Sequence, residues 1–307
     1  MSSSSELLVR GGIWVGESGL EAEPVGFYAG SWRRLRRDRT AMFGLVGLVL
    51  VCLLAVSAPT IAGDVFGADP FHQELEERFL PPGAGHLLGT DDLGRDALAR
   101  LLYGAQVSIA LGFGVASIAL LIGIGVGLVA GYYGRWVDDL LNVVIQVKRA
   151  VPFLYLLLVV ATIIQPTLPI LVGLFGLWSW TSVARTVRGQ TLGYKRRDYV
   201  DAARALGAGD GRIILRHVLP HISSIVLVEV GFVVAGSILA EAGISFLGFG
   251  IQPPTPSWGN MLSNALEYVR RAWWLVAAPG AAISFTVLCV LLLTDGLRDA
   301  LDPRLAR

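Results

Sequence analysis

Charge is the first thing this sequence lacks: 16% of its 307 residues are Asp, Glu, Lys or Arg, against roughly 25% in a soluble globular protein. Lysine is nearly absent, with Lys148 and Lys195 alone. Neither follows a glycine. The Gly-Lys pair of a phosphate-cradling G-x-x-x-x-G-K-[ST] loop is therefore missing, and the chain has no such route to ATP. Cysteine is limited to Cys52 and Cys289, both inside apolar runs and without ligand spacing. That excludes a disulfide scaffold and a cysteine metal site, and leaves two small apolar side chains. The four histidines, His72, His86, His217 and His221, lie between the apolar runs. His217 and His221 are four apart, but Pro220 stands between them and no third ligand is near, so no metal site is expected. No Ser/His/Asp spacing points to a hydrolase. A formal net charge of +1 gives no general attraction to nucleic acid.

What is abundant is apolar. Hydrophobic residues make up 54% of the chain and the mean hydropathy is +0.62. Glycine numbers 37, well above the usual ~7%, and glycine is favoured in membrane helices. About 20 apolar residues cross a hydrocarbon core of ~30 Å. Six runs qualify: 41–62, 107–133, 143–164, 168–183, 222–246 and 272–294. The third carries Lys148 and Arg149 near its start, the fourth is short, and the fifth contains Glu229 and Glu241. The expected fold is an all-α membrane protein with six transmembrane helices. The first run exceeds the 7–15 residues of a signal-peptide core and some 40 residues precede it, so it is expected to remain as a span. No internal repeat is evident, which weakens the case for a carrier built from inverted repeats.

Basic residues orient the spans, because cytoplasmic flanks are enriched in Lys and Arg. Arg33, Arg34, Arg36, Arg37 and Arg39 precede the first span, which places the N-terminus inside. The 63–106 loop holds three basic residues against eight acidic ones, and the 184–221 loop eight against three. The first is expected outside and the second inside, with both termini cytoplasmic. The layout is a Gly/Ser-rich, mostly flexible cytoplasmic extension over 1–40, the first span over 41–62 and an extracytoplasmic loop over 63–106. A core of five helices over 107–295 and a cytoplasmic tail over 296–307 complete it.

The internal loop is the informative stretch. Tyr199, Ala202, Ala203 and Leu206 recur at i, i+3, i+4 and i+7, so they share one helical face. Asp198 suits the start of that helix and Gly207 its end. A second short helix is expected over 212–218, leading to Pro220 and back into the membrane. The result is a small helical knob with alanines on one face. A partner surface can approach such a face closely. An amphipathic helix lying on anionic lipid fits the same residues equally well.

The order of residues here resembles a known family. Asp201-Ala202-Ala203, then Gly207, then His217 and Leu219-Pro220 are similar to the EAA loop of ABC-importer permeases, Glu-Ala-Ala…Gly…Ile-x-Leu-Pro. Asp201 stands for Glu and His217 for Ile. Arg216-His217-Val218-Leu219-Pro220 resembles the version in the second, C-type subunit of the dipeptide/oligopeptide/nickel branch. Three more segments resemble that branch. One is Leu88-Gly89-Thr90-Asp91-Asp92-Leu93-Gly94-Arg95-Asp96. Another is Glu241…Ser245-Phe246-Leu247-Gly248-Phe249-Gly250 with Pro253-Pro254 and Ser257-Trp258-Gly259. The last is Trp273-Trp274…Pro279-Gly280…Asp295-Gly296-Leu297-Arg298-Asp299-Ala300-Leu301-Asp302-Pro303. Thr294 stands where the family has Gly, and Gln146-Val147-Lys148-Arg149-Ala150-Val151-Pro152 stands where the family usually has an Asp before Ala-x-Pro. The likeness covers about residues 30 to 307.

The resemblance implies a type I ABC importer permease fold with coupling helices between spans four and five (198–220). It implies a non-catalytic chain that binds no cofactor. ATP and Mg would sit on two partner ATPase subunits, beside a homologous permease subunit and an extracytoplasmic substrate-binding protein. Asp201, Ala202, Ala203, Leu206, Gly207, Leu219 and Pro220 would couple to the ATPases. The substrate class it suggests is a dipeptide or oligopeptide, with nickel or glutathione open, and the place is a bacterial or archaeal plasma membrane. An acid inside a membrane usually faces the protein interior or a wet cavity. Glu229 is therefore a candidate for the pathway or a subunit interface, or else for a structural hydrogen bond. Asp91, Arg95 and Asp96 are candidates for binding-protein contact, or else cap a helix on the outer surface. Trp258 and Trp273-Trp274 suit an interfacial aromatic belt, and Glu241 is expected to be wet. An ATPase-independent channel or ion-coupled carrier is the alternative, although buried charge chains and broken paired helices are not evident.

Overall fold

The computed structural model describes residues 27–83 and 85–301. Most of the N-terminal extension, and Asp302 and Pro303 of the tail motif, lie outside the described residues. Among those residues all regular structure is helical, apart from one isolated bridge between Thr90 and Asp96.

The chain enters through α1 (Phe27–Arg37) and turns at Asp38 into α2 (Arg39–Val56). Asp38 caps α2 by accepting from the Thr40 and Ala41 amides at 2.9 and 3.3 Å. That serves two of the orphan donors at a helix start. The first expected span ran to residue 62, but α2 stops at Val56 and a separate π-type turn follows over Thr60–Val65. α3 (Ala97–Tyr133) starts ten residues before the expected second span. At 1.5 Å per residue it is about 55 Å long, so its first turns project beyond the hydrocarbon.

The third span departs most from expectation. In place of one run over 143–164 there are two helices, α4 (Arg135–Ala150) and α5 (Phe153–Ile163), meeting at 69°. Pro152 has no amide hydrogen and pushes the residue before it out of the helical region; Val151 is extended, at φ −92° and ψ 116°. α4 is amphipathic. Trp136, Leu140, Val143, Val144 and Val147 are exposed, while Leu141 and Ile145 pack against Val126, Ala130 and Trp180. The basic pair that weakened this span is thereby explained in part. Lys148 Nζ donates to the Leu177 and Trp178 carbonyls and lies over the Trp178 and Trp180 rings. Asp138 and Arg188 form a two-point ion pair between α4 and α6 (Leu168–Tyr194).

The rest comprises α7 (Asp198–Ala205), α8 (Asp210–Ile213), α9 (Leu219–Phe246), α10 (Ala265–Arg271) and α11 (Trp274–Leu301). Among the described residues five helical stretches are long and apolar enough to cross a membrane, and the bent α4–α5 pair makes six. α3 packs most extensively against α6. Gly123, Gly127 and Gly131 recur every fourth residue on α3. A Cβ at Gly127 would stand 2.6 Å from the Ala184 carbonyl, and one at Gly131 2.6 Å from Thr191 Cβ. Small residues at this spacing let two membrane helices touch backbone to side chain. The departure at Thr294 has a partner too. Its side chain packs onto Gly231 of α9, where a Cβ would lie 2.9 Å from Thr294 Cβ.

Candidate functional site

The knob forms as a short helix with a defined stop. Gly207 has φ +82°, a conformation that costs other residues about 1–2 kcal/mol. The Ala208 amide donates to the Ala203 carbonyl and the Gly207 amide to the Arg204 carbonyl, both at 3.0 Å. This pair of bonds is a Schellman motif. At the other end the expectation needs correcting. Arg197, not Asp198, occupies the capping position, and no side chain caps the helix. Asp198 and Asp201 lie in the first turn and act only through the dipole.

The shared face is presented to solvent. Leu206 is 88% exposed; Ala202 is exposed and Ala203 half-buried. Asp201 pairs with Arg204 at 2.7 Å on the same surface. The opposite face anchors the knob: Val200, Ile213, Val218 and Ile222 are fully buried and belong to the main core. Tyr132, at the C-terminal end of α3, donates to Asp210 Oδ1 at 2.7 Å. Lys195 Nζ donates to the Tyr132 carbonyl at 3.1 Å. Tyr199 stacks on His221 with ring centroids 5.1 Å apart.

The expected second helix is not a separate piece. The chain is helical from α8 through a π-type segment, Ile214–Val218, directly into α9. Pro220 sits in the first turn of α9, beside half-buried Leu219. The wide segment just before it accommodates the missing amide hydrogen. Glu229 lies ten residues beyond Leu219, about 15 Å along the same helix.

Glu229 faces a cavity of about 460 Å³ between the α4–α5 bend, α6 and α9. Thr186 Oγ donates to Glu229 Oε1 at 2.8 Å. Arg149 and Arg185 line the same cavity, with Ser179, Ser182 and Trp178.

The segment leading into α3 carries a buried ionic network. Asp91, Arg95 and Asp96 are 7%, 7% and 8% exposed. Arg95 Nε lies 2.7 Å from Asp91 Oδ2, and Arg100 Nε 3.4 Å from the same oxygen. Asp96 caps α3 through the Ala99 amide at 2.8 Å and also meets His86 Nδ1 at 2.8 Å, while His86 Nε2 reaches Glu77 at 3.0 Å. The Asp96 hydrogen bond, helped by Glu77 and opposed by desolvation, raises the His86 pKa above its ordinary value. These three side chains sit inside the fold and frame the surface without forming it.

A second buried network corrects two expectations. Glu241 is 1% exposed and so is not wet. Its Oε1 accepts from Ser245 at 2.7 Å and Ser257 at 2.8 Å. Trp258 is 2% exposed and is no belt residue. Its indole donates to the Leu101 carbonyl at 3.0 Å and its amide to Ser108 at 3.2 Å. Trp273, 65% exposed, does suit a membrane interface.

This arrangement matches known proteins over most of the chain. Residues 123–307 match the binding-protein-dependent transport system inner membrane component, and residues 26–82 match the N-terminal TM domain of oligopeptide transport permease C. The chain belongs to the family of binding-protein-dependent transport permeases. A putative peptide transport system permease protein of Brucella abortus is 43% identical over 274 residues, 89% of this chain and 90% of the relative. The dipeptide transport system permease protein DppC of Bacillus subtilis is 38% identical over 278 residues, 90% and 86% of the two chains. The oligopeptide transport system permease protein OppC of Mycobacterium bovis is 37% identical over 273 residues, 88% and 92%. The permease is accordingly a multi-pass membrane subunit of a transporter, with the type I fold, and not itself a catalyst.

Within this permease, sequence reasoning found the knob and Glu229 but missed what holds them. Tyr132 ended an apolar run and gave no polar signal of its own. Asp138 and Arg188 lie 50 residues apart, so only the fold brings them together. Glu241 and Ser257 stand in one motif, but the sequence suggests a wet Glu241 and no role for Ser257.

Proposed function

We propose that this permease is one half of the membrane channel of an ATP-driven importer for dipeptides or oligopeptides. The observation that carries the reading is the knob: a short helix with Leu206 fully presented, whose back is anchored in the core. An exposed leucine on a rigid helix is suited to fill a pocket on a partner. Asp201, Ala202, Ala203, Leu206 and Gly207 form the docking surface, and Leu219 and Pro220 lead its movement into α9. The partners are a homologous permease, two ATPase subunits that hold ATP and Mg, and an extracytoplasmic binding protein, all in membrane lipid. The names of the relatives support peptide as cargo.

ATP binding closes the ATPase pair, the knob follows, and the spans rock between inward-open and outward-open. Such coupling needs a discrete element that both sites bias, and α7 to α9 is that element here. Glu229 lines the pathway. Asp91, Arg95 and Asp96 hold rigid the outer surface that the binding protein meets. The Arg-rich α1 ahead of the first span and the basic 184–221 loop support cytoplasmic termini in a bacterial or archaeal plasma membrane. On this reading 1–40 and 296–307 are cytoplasmic and 63–106 is extracytoplasmic.

The test is affinity purification of the tagged permease from its native membrane, with ATP-dependent peptide uptake in vesicles. Two ATPases and a second permease should copurify. Leu206→Glu and Gly207→Trp should release the ATPases and abolish uptake. Gly207→Trp also strains the backbone, so the exposed Leu206 site guards against misfolding. Peptide uptake without ATP, by a chain that purifies alone, would establish a carrier or channel and end the importer reading.

A further inference from the structure

The cavity between the α4–α5 bend, α6 and α9 contains charge that the protein does not compensate. Arg149 and Arg185 line it and have no ion pair or hydrogen bond among the described residues. Glu229 is its carboxylate: Thr186 occupies Oε1, and Oε2 has no partner among the described residues. Glu229 lies within a stretch long and apolar enough to cross a membrane, where an ionised side chain is costly and marks an ion or substrate path; Arg149 and Arg185 stand exposed at the mouth of the cavity. A volume of about 460 Å³ is within the range of small-molecule sites. Hydroxyls from Ser179, Ser182 and Ser237 and the Trp178 ring complete a mixed polar and aromatic lining. Two cations against one anion leave the cavity net positive, which disfavours a bare metal cation.

We propose, resting on the peptide-importer reading, that this cavity is a charge-selective transit site. Arg149 and Arg185 take a peptide carboxylate and Glu229 takes an ammonium group. Peptides with an extra acidic side chain therefore pass faster than those with a basic one.

The experiment uses the complete complex in proteoliposomes, supplied with its binding protein and with radiolabelled Ala-Asp or Ala-Lys. The same binding protein presents both peptides to every variant, so its own preference cancels between variants. Arg149→Asp should lower the Ala-Asp to Ala-Lys uptake ratio by about fivefold or more, because it reverses a charge at close range. Arg185→Gln should lower the ratio less, and Glu229→Gln should raise it. Copurification of the second permease and ATP hydrolysis stimulated by loaded binding protein report on assembly. An unchanged ratio in assembled Arg149→Asp overturns the proposal. Loss of the second permease in Arg149→Asp, with an unchanged ratio in Arg185→Gln, also overturns it and assigns the arginine to the subunit interface. Failure of the unmodified complex to take up either peptide with ATP sinks the importer reading and the transit site together. Uptake of both peptides with an unmoved ratio sinks the transit site alone.

Discussion

Gly125 and Gly127 lie two residues apart on α3, yet the same substitution should act on them in opposite directions. A Cβ at Gly127 would come 2.6 Å from the Ala184 carbonyl oxygen and 2.8 Å from Val187 Cβ. Carbon atoms pack best at about 3.5–4.0 Å, so α6 would have to retreat by about 1 Å along the Gly123–Gly127–Gly131 stripe. A gap of 0.5–1 Å forfeits about a quarter to a half of each contact it opens. Overpacking of this kind costs about 1–3 kcal/mol. At Gly125 nothing lies within 4 Å of an added Cβ. Alanine there gains only helix propensity, about 0.8–1.0 kcal/mol. That gain is common to both sites and cancels in the comparison. Gly127→Ala should therefore be less stable than Gly125→Ala by about 1–3 kcal/mol, and Gly125→Ala should be at least as stable as the unmodified chain. The assay is the fraction of detergent-purified protein that stays monodisperse after heating, with Gly131→Ala as a second contact site. Equal midpoints for the 125 and 127 variants would refute the claim that the α3–α6 contact rests on the glycine stripe.

Two further outcomes follow from the two buried polar networks. His86 gains carboxylate partners on folding and its pKa rises. Its stabilising contribution is therefore full below its ordinary value of about 6.5 and is lost as pH rises through the folded value. Being partly solvated, it is worth under about 1 kcal/mol. The stability gap between the unmodified chain and His86→Gln should shrink from pH 6 to pH 9, and a gap that widens would contradict the assignment. Glu241→Leu leaves the Ser245 and Ser257 hydroxyls without their acceptor, at about 1–3 kcal/mol each, whereas Glu241→Gln keeps an acceptor oxygen. Backbone hydrogen exchange over 253–260 should quicken clearly in the first and little in the second. Equal exchange in both would show that the carboxylate does not pin this segment.

The spans were legible because apolar length is a one-dimensional property. α2, α6, α9 and α11 fall where continuous runs lie; α2 stops short of its run at Val56, whereas α6 and α11 persist past their last apolar residues. α6, for example, continues through Arg185 and Arg188 to Tyr194. The α4–α5 break carried a signal in Pro152, but the 69° angle and the contacts of Lys148 and Asp138 with α6 join residues far apart in sequence and carried none. The knob was legible through local chemistry, since Gly207 needs only its own neighbours to stop a helix. The motif leading into α3 was not. Asp91, Arg95 and Asp96 read as surface charges because a lone charge in a loop is usually solvated. Here each finds partners on the same turn or on α3, and mutual pairing is what lets charges be buried. Trp258 was misplaced for a related reason: its indole partner, the Leu101 carbonyl, is 157 residues away.

The most consequential misreading concerned Pro220. A break there would have put a flexible joint between the knob and the membrane, where any movement of α7 would be dissipated. The observed path is helical from Asp210 to Phe246, about 55 Å at 1.5 Å per residue. It carries buried Ile213, Val218 and Ile222 at one end and Glu229 in the cavity farther along. On the importer reading, a shift at Leu206 is delivered to the cavity through one continuous rod braced by Tyr132 against α3. The π-type turn at Ile214–Val218 is the one irregularity along it. Such turns concentrate at functional positions because their hydrogen bonds are readily rearranged. The proline that suggested an interruption thus marks the place where the rod can change its winding without losing its continuity.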